Sequence, residues 1–191
     1  MSPGAADSDA TLAERALGGD DSAFAQLISR HKSWMFRFIR RYVGNAEDAY
    51  DVLQDAFFSA WLALGRYEGD RPFEFWLRRI ALNKCRDRAR REHVRRMLRG
   101  MLGEQERAPA LIDTAAGPER LAAAGQDLRQ LELALNSLPR ALKEPLLLTA
   151  LEGLSHKEAG KVLGLNPKAV EMRVYRARAR LAVLMGASDK N

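Results

Sequence analysis

Apolar residues recur at helical spacing almost from one end of the chain to the other. Phe24, Leu27, Ile28, Met35, Phe38, Ile39 and Tyr42 fall on one wide stripe, as an amphipathic helix with a buried face requires. Asp20, Asp21 or Ser22 can cap its start, and Gly44-Asn45 ends it. Ala49, Val52, Leu53, Ala56, Phe57, Ala60 and Trp61 line one face of a second helix, whose other face carries Asp48, Asp51, Gln54 and Asp55. The breaker-rich stretch GRYEGDRP, Gly65 to Pro72, reads as a loop. A third helix follows with Phe73, Trp76, Leu77, Ile80 and Ala81 inward, and it runs into a basic segment. Residues 99–126 hold Gly100, Gly103, Pro109, Gly117, Pro118 and Gly125 among many alanines and read as a linker with short helical pieces. Beyond it Leu128, Leu131, Leu135 and Leu138 form another helical stripe, broken at Leu138-Pro139. No strand-like alternation of useful length and no internal repeat occur. The fold class is all-α: two small helical domains joined by a flexible linker. The expected boundaries are an N-terminal tail at 1–19, a first domain at 20–98, the linker at 99–126, a second domain at 127–186 and a C-terminal tail at 187–191.

Composition narrows the chemistry. The chain has 191 residues, 47% of them apolar, enough for one medium domain or two small ones with packed cores. A single cysteine, Cys85, rules out an intramolecular disulfide and a four-cysteine zinc site. The histidines, His31, His93 and His156, have no paired-ligand spacing, so neither a metal nor another cofactor is expected. The apolar runs are too short to span a bilayer, and the opening MSPGAADSDA is polar; a cytoplasmic protein without direct membrane insertion is expected. Catalysis finds little support. Gly160-Lys161 lacks the rest of a phosphate loop, no serine sits in a nucleophile elbow, and Cys85 has no placed base. No catalytic residue is assigned.

The net charge of +6 is unevenly spread. Residues 1–62 hold 6 basic and 9 acidic residues, net −3; residues 63–100 hold 12 and 5, net +7. Residues 101–126 hold 2 and 4, net −2, and residues 127–191 hold 11 and 7, net +4. Two basic surfaces separated by an acidic connector suggest contact with nucleic acid at two places. The alternative for the run Arg86, Arg88, Arg90, Arg91, Arg95, Arg96, Arg99 is a solvated helix face; the dominance of Arg over Lys and the few interleaved acids favour a nucleic-acid contact.

The most specific stretch is LSHKEAGKVLGLNPKAVEMRVYRARARL. Ser155 and Glu158 form a capping box, Gly164 suits a left-handed stop, and Asn166 with Pro167 starts a second helix. Val170, Val174, Ala177, Leu181 and Leu184 give that helix a buried stripe. Its outer face offers Lys168, Glu171, Met172, Tyr175 and Arg176, flanked by Arg173, Arg178 and Arg180. Two short helices, a Gly turn and a basic second helix make a helix-turn-helix; an ordinary helical hairpin needs none of these signals. Arg can fork onto guanine or phosphate, Glu can accept from cytosine N4, and Met can touch a thymine methyl.

These blocks resemble a bacterial sigma factor of the extracytoplasmic-function (ECF) group of the sigma-70 family. DAYDVLQDAFFSAW is similar to the family's core-binding helix and RPFEFWLRRIALNKCRDRARR to its promoter-melting helix, both in region 2. LEGLSHKEAGKVLGLNPKAVEMRVYRARARL, after Leu138-Pro139, resembles region 4. The resemblance covers about 20–91 and 127–185. It implies a factor that binds core RNA polymerase, directs it to promoters, recognises −10 and −35 elements and aids strand opening. Asp51, Gln54, Asp55 and Phe58 would then dock on the β′ clamp helices. The loop Arg66–Arg71 would capture a flipped base, with Tyr67 stacking and Phe73 and Trp76 beneath. Asn83, Arg86, Arg90 and Arg91 would hold the −10 backbone. Lys168, Glu171, Met172, Arg173, Tyr175, Arg176 and Arg178 would read the −35 duplex, with the first helices of region 4 near the β flap. An anti-sigma factor, often membrane-anchored, is implied as a further partner.

Four positions depart from the family pattern. Ala159-Gly160 stands where Ile-Ala is usual, Pro145 where an aliphatic residue is usual, and Glu171 where a base is common. A helix-interior glycine either costs about 1 kcal/mol against alanine or permits unusually close packing. Pro145 should kink or restart its helix. Two other readings remain at this level. A stand-alone helix-turn-helix regulator explains 127–185 but leaves the acidic and aromatic-basic helices unexplained; a pure protein-interaction module would use the exposed apolar surfaces.

Overall fold

The structure, a computed structural model, describes residues 7–69, 71–102 and 120–188. Among the described residues there is no strand. The helices are α1 (Asp9–Leu17), α2 (Asp21–Val43), α3 (Ala46–Leu62), α4 (Phe73–Met101), α5 (Arg120–Ser137), α6 (Arg140–Leu146), α7 (His156–Leu163) and α8 (Pro167–Ser188). A 3₁₀ turn at Leu64–Arg66 precedes the loop to α4, and a wider π turn at Leu147–Leu151 follows α6.

The first four helices pack around the α2 stripe. Of the three candidate caps it is Asp20 that accepts from the N–H groups of Ser22 and Ala23. Gly44 ends α2 with φ of 95°, and Asn45 caps α3 by accepting from the Asp48 N–H at 2.8 Å. The inward residues of α2, α3 and α4 meet, with Met35, Phe38, Ile39, Val52, Leu77 and Ala81 essentially sealed from solvent as expected; Leu82, not expected inward, is sealed as well, and Trp76 and Ile80 are half-buried.

Part of the expected N-terminal tail is helical: Asp9–Leu17 form α1, and residues 1–6 lie outside the described residues. Ser8 caps α1, and Leu12, Ala13 and Ala16 are buried against the bundle. Asp9 anchors it by accepting from Arg30 at 2.9 Å and from His31 Nε2 at 2.8 Å. The Trp34 indole donates to His31 Nδ1 at 2.9 Å, which leaves Nε2 as the protonated nitrogen. The helices also enter the expected linker from both sides: α4 continues to Met101 and α5 begins at Arg120. The core of that segment, 103–119, lies outside the described residues, as do 189–191 of the C-terminal tail.

In the second half α6 carries Pro145 inside it. Proline has no N–H to return to the preceding turn, and the chain relaxes into the π turn, with Glu152 N–H reaching the Leu147 carbonyl at 3.2 Å. The Thr149 hydroxyl donates to the Pro145 carbonyl at 2.8 Å. The capping box of α7 is present in both directions, and Gly164 closes α7 with φ of 69°. The two halves pack against each other: α7 touches α4, while the π turn and α5 touch α2. Leu147 and Leu148 are fully buried and join the same apolar core as Met35 and Leu77.

Candidate functional site

Three surfaces and one buried junction bring the chemistry-bearing residues together. The first is the outer face of α3. Asp51, Gln54, Asp55 and Phe58 are all exposed there, at spacings that place them along one side of the helix. Phe58 is 65% exposed and Leu62 69%, more than a helix facing only water would be expected to leave open. Between this face and α2 runs an apolar groove lined by Phe24, Ile28, Leu53, Phe57, Phe58 and Trp61, with Asp21 and Lys32 at its rim. Trp61, expected on the buried face, meets Phe24 edge-on at 4.8 Å but remains partly open to this groove.

The second surface begins at the loop before α4. Tyr67 is partly buried and its ring lies against Phe73 (5.1 Å) and Trp76 (5.6 Å). Its hydroxyl donates to the Arg71 carbonyl at 2.7 Å, which fixes the ring as one wall of a recess. Gly69, Arg71, Pro72, Phe73 and Glu74 line the rest, together with Asp9 and Ala10 of α1. Arg66 and Arg71 are exposed at this end. The contribution of α1 had no signal in the sequence.

Along α4 the arginines divide. Arg90 and Arg91 are exposed; Arg90 pairs with Asp87 at 2.5 Å, and Arg91 sits 3.8 Å from Asp55. Arg88 pairs with Asp48 on α3. Arg86 is half-buried, and its Nε and Nη2 fork onto Glu144 of α6 at 2.9 and 2.7 Å, while Nη1 donates to Asn83 Oδ1 at 3.1 Å. Hydrogen bonding to Glu144 raises the Arg86 pKa further above its ordinary value. Asn83 and Arg86, expected to face DNA, thus lie beside the second half.

The junction is a compact polar cluster. Glu144 also accepts from the Tyr42 hydroxyl at 3.0 Å and lies 3.3 Å from Arg140. Its neighbour Lys143 donates to the Tyr42 carbonyl at 2.6 Å and to Asn136 Oδ1 at 2.8 Å. Burial lowers the Lys143 pKa to about 8 and pushes the Tyr42 hydroxyl up, helped by the Glu144 charge. The Cys85 thiol is also pushed up by burial, so it is an inert core residue. A second cross-link joins Arg78 of α4 to Glu152, with Glu74 at 2.5 Å and the Trp34 ring 4.3 Å from the guanidinium carbon. These pairs are separated by 58 and 74 positions in sequence, so periodicity and local motif carry no trace of them.

The third surface is the outer face of α8. Lys168, Glu171, Met172, Tyr175, Arg176 and Arg178 are exposed and Arg173 is half-buried, while Val170, Val174 and Ala177 point inward. Lys168 and Glu171 pair at 3.0 Å. This is the side-chain division expected of a recognition helix. Among the described residues no cluster of three or more His, Cys, Asp or Glu side chains is placed to hold a metal ion, and no helix is long and apolar enough to cross a membrane.

A family model described as Sigma-70 region 2 matches residues 27–95, and one described as Sigma-70, region 4 matches residues 128–181. The RNA polymerase sigma factor CnrH of Cupriavidus metallidurans is 41% identical over 186 residues, covering 96% of this chain and 97% of that one. The ECF RNA polymerase sigma factor SigM of Mycobacterium tuberculosis is 34% identical over 181 residues, covering 94% and 85%. Among solved structures, CnrH in complex with the cytosolic domain of CnrY aligns with a TM-score of 0.68 and 36% identity, over 95% of this chain and 99% of that one.

Proposed function

The chain belongs to the extracytoplasmic-function group of the sigma-70 family, and from that premise we propose how its surfaces divide the work of starting transcription. The protein binds core RNA polymerase and directs it to promoters through −10 and −35 elements. The polymerase performs the chemistry; this chain contributes binding energy and strand separation.

The α3 face, Asp51, Gln54, Asp55 and Phe58, is assigned to the β′ clamp helices. Carboxylates on a helix face suit a basic protein and repel a phosphate backbone. The recess around Tyr67, Arg66 and Arg71 is assigned to an unpaired base of the −10 element, held by stacking and by cations on its phosphates. Asn83, Arg86, Arg90 and Arg91 hold the adjoining backbone. Lys168, Glu171, Met172, Arg173, Tyr175, Arg176 and Arg178 are assigned to the −35 major groove, with Lys168 and Arg178 on phosphates. In this division residues 20–98 act on polymerase and the −10 region, and residues 127–186 on the −35 duplex and the β flap. Like CnrH with CnrY, the chain takes an anti-sigma partner, for which the α3 face and its apolar groove are the surface on offer. A cytoplasmic location and a membrane-anchored partner fit this role.

The observation that carries the reading is the pairing, in one half, of an exposed acidic-apolar helix face with an arginine-rich helix, followed by a helix-turn-helix whose outer face is open. A competition assay for core polymerase tests it. Asp51→Ala, Gln54→Ala and Phe58→Ala should each weaken the complex while leaving the circular dichroism unchanged. Unaltered affinity in all three would remove the assignment of α3.

A further inference from the structure

We propose that the chain pairs with a second copy of itself, the basic-apolar end of α4 from each copy lying on the acidic-apolar face of α3 from the other. The consequence for polymerase rests on the assignment of α3 above; the pairing itself does not.

The end of α4 stands clear of the bundle. Every residue from His93 to Leu102 is exposed, although the segment is helical as far as Met101. Val94, Met97, Leu98 and Met101 share one face of it by their spacing. Leu98 is 55% exposed and Leu102 77%. A short helical projection is marginal in water on its own, since most helical stability comes from packing an apolar face. An open stripe of large apolar residues on such an element marks a docking surface.

The pattern of charge selects the occupant. On α4, Arg91, Val94, Arg95, Leu98 and Leu102 follow one another at i, i+3, i+4, i+7 and i+11. On α3, Asp51, Gln54, Asp55, Phe58 and Leu62 follow at the same spacings, and all five are exposed. The two faces therefore match position by position with the charges reversed: two arginines answer two carboxylates, and two leucines answer Phe58 and Leu62. Laid side by side in the same direction, they bring opposite charges together at one end and apolar side chains together at the other. The faces are also neighbours within one chain, where Arg91 Nη2 lies 3.8 Å from Asp55 Oδ2. A two-fold axis passing between adjacent faces exchanges them. The contact is then made twice, and the assembly closes as a dimer instead of running on as a filament. Other occupants match less of the pattern. A phosphate backbone would take the arginines and leave the leucines open, and two α4 stripes laid together would set arginine against arginine.

A dimer of this kind covers Asp51, Gln54, Asp55 and Phe58, the residues assigned to the β′ clamp helices. Core polymerase and a second copy then compete for one face, and only the dissociated chain can enter the holoenzyme.

Sedimentation velocity of the full chain, without polymerase or DNA, should show monomer at low concentration and a species of twice the mass at higher concentration. The dimer should weaken as salt is raised. Leu98→Glu and Phe58→Glu, both at exposed positions, should each weaken dimerisation about tenfold or more with unchanged helical circular dichroism. Charge reversal is the sharper test. One chain carries Asp51→Arg and Asp55→Arg, another Arg91→Glu and Arg95→Glu. Each alone should stay monomeric, and an equimolar mixture should dimerise, because both contacts of the mixed pair regain opposite charges. Should a reversed chain lose helicity, the single reversals Asp51→Arg and Arg95→Glu supply the same comparison. A wild-type chain that stays monomeric up to its highest soluble concentration, or a mixture no more associated than its components, overturns the pairing. At a concentration where wild type is dimeric, Leu98→Glu should half-saturate core polymerase at several-fold lower total concentration than wild type. If Leu98→Glu abolishes the dimer and leaves polymerase binding unchanged, the pairing stands and the competition for α3 is refuted.

Discussion

Gly160 sets how closely the two helices of the C-terminal motif fold together. A Cβ there would meet the Leu165 carbonyl oxygen at 2.5 Å, and that oxygen belongs to the backbone of the turn. In sequence the residue stood out as a glycine inside a helix; the close packing that justifies it depends on where the turn returns, which composition does not encode. Gly160→Ala should therefore destabilise the protein by about 1–3 kcal/mol despite alanine's better helix propensity, as measured by chemical denaturation. A gain in stability would show that the turn yields freely. Lys143 gives a pH signature of the junction. Its folded pKa lies near 8, below the ordinary 10.5, so the folded state releases the proton first. Below pH 8 both states carry the charge and the folded one bears the burial cost. Between about 8 and 10.5 the cost is progressively relieved, so this lysine's contribution to stability becomes less unfavourable as pH rises. Tyr42 and Cys85 act in the opposite sense, both having raised values. Comparing wild type with Lys143→Met isolates the lysine: the stability difference should move in favour of wild type across that window.

Among the elements, α2, α3, α7 and the start of α8 were legible because each combines a long apolar stripe or a dense set of capping residues with clear breakers. Ser155 and Gly164 cap where their chemistry predicts. Helix α1 was not legible: it has nine residues, and its buried set is one leucine and two alanines, too few for a periodic signal. Its role depends instead on Asp9 meeting Arg30 and His31 more than 20 positions away. Leu12 is fully buried, and Leu12→Ala should cost about 2–5 kcal/mol in denaturant unfolding. A cost near zero would mean that α1 is dispensable to the bundle.

For the whole molecule, the alternation of charge along the chain anticipated two basic surfaces, and the exposed arginines of α4 and α8 carry them. It did not anticipate that Arg78 and Arg86 are consumed by Glu152 and Glu144 across the junction. Pairing between helices brought together by tertiary packing leaves no local pattern. The exposed arginines Arg90 and Arg176 should act differently in promoter complexes. Arg90→Ala should weaken complexes on all promoters and lower the salt slope by about one. Arg176→Ala should weaken them selectively, by about 1–3 kcal/mol on its preferred −35 sequence. Titrations over a promoter panel at several salt concentrations separate the two; equal, sequence-independent losses would refute the division.

The central claim is that this chain converts core polymerase into an enzyme that starts at defined sites. Purified chain and core enzyme should be incubated with fragmented DNA from the source genome and the run-off transcripts mapped. The account predicts discrete start sites that vanish without the chain and share spaced upstream −10 and −35 elements. Transcription unchanged by its addition, under conditions where a known factor of the family activates the same core, would contradict it.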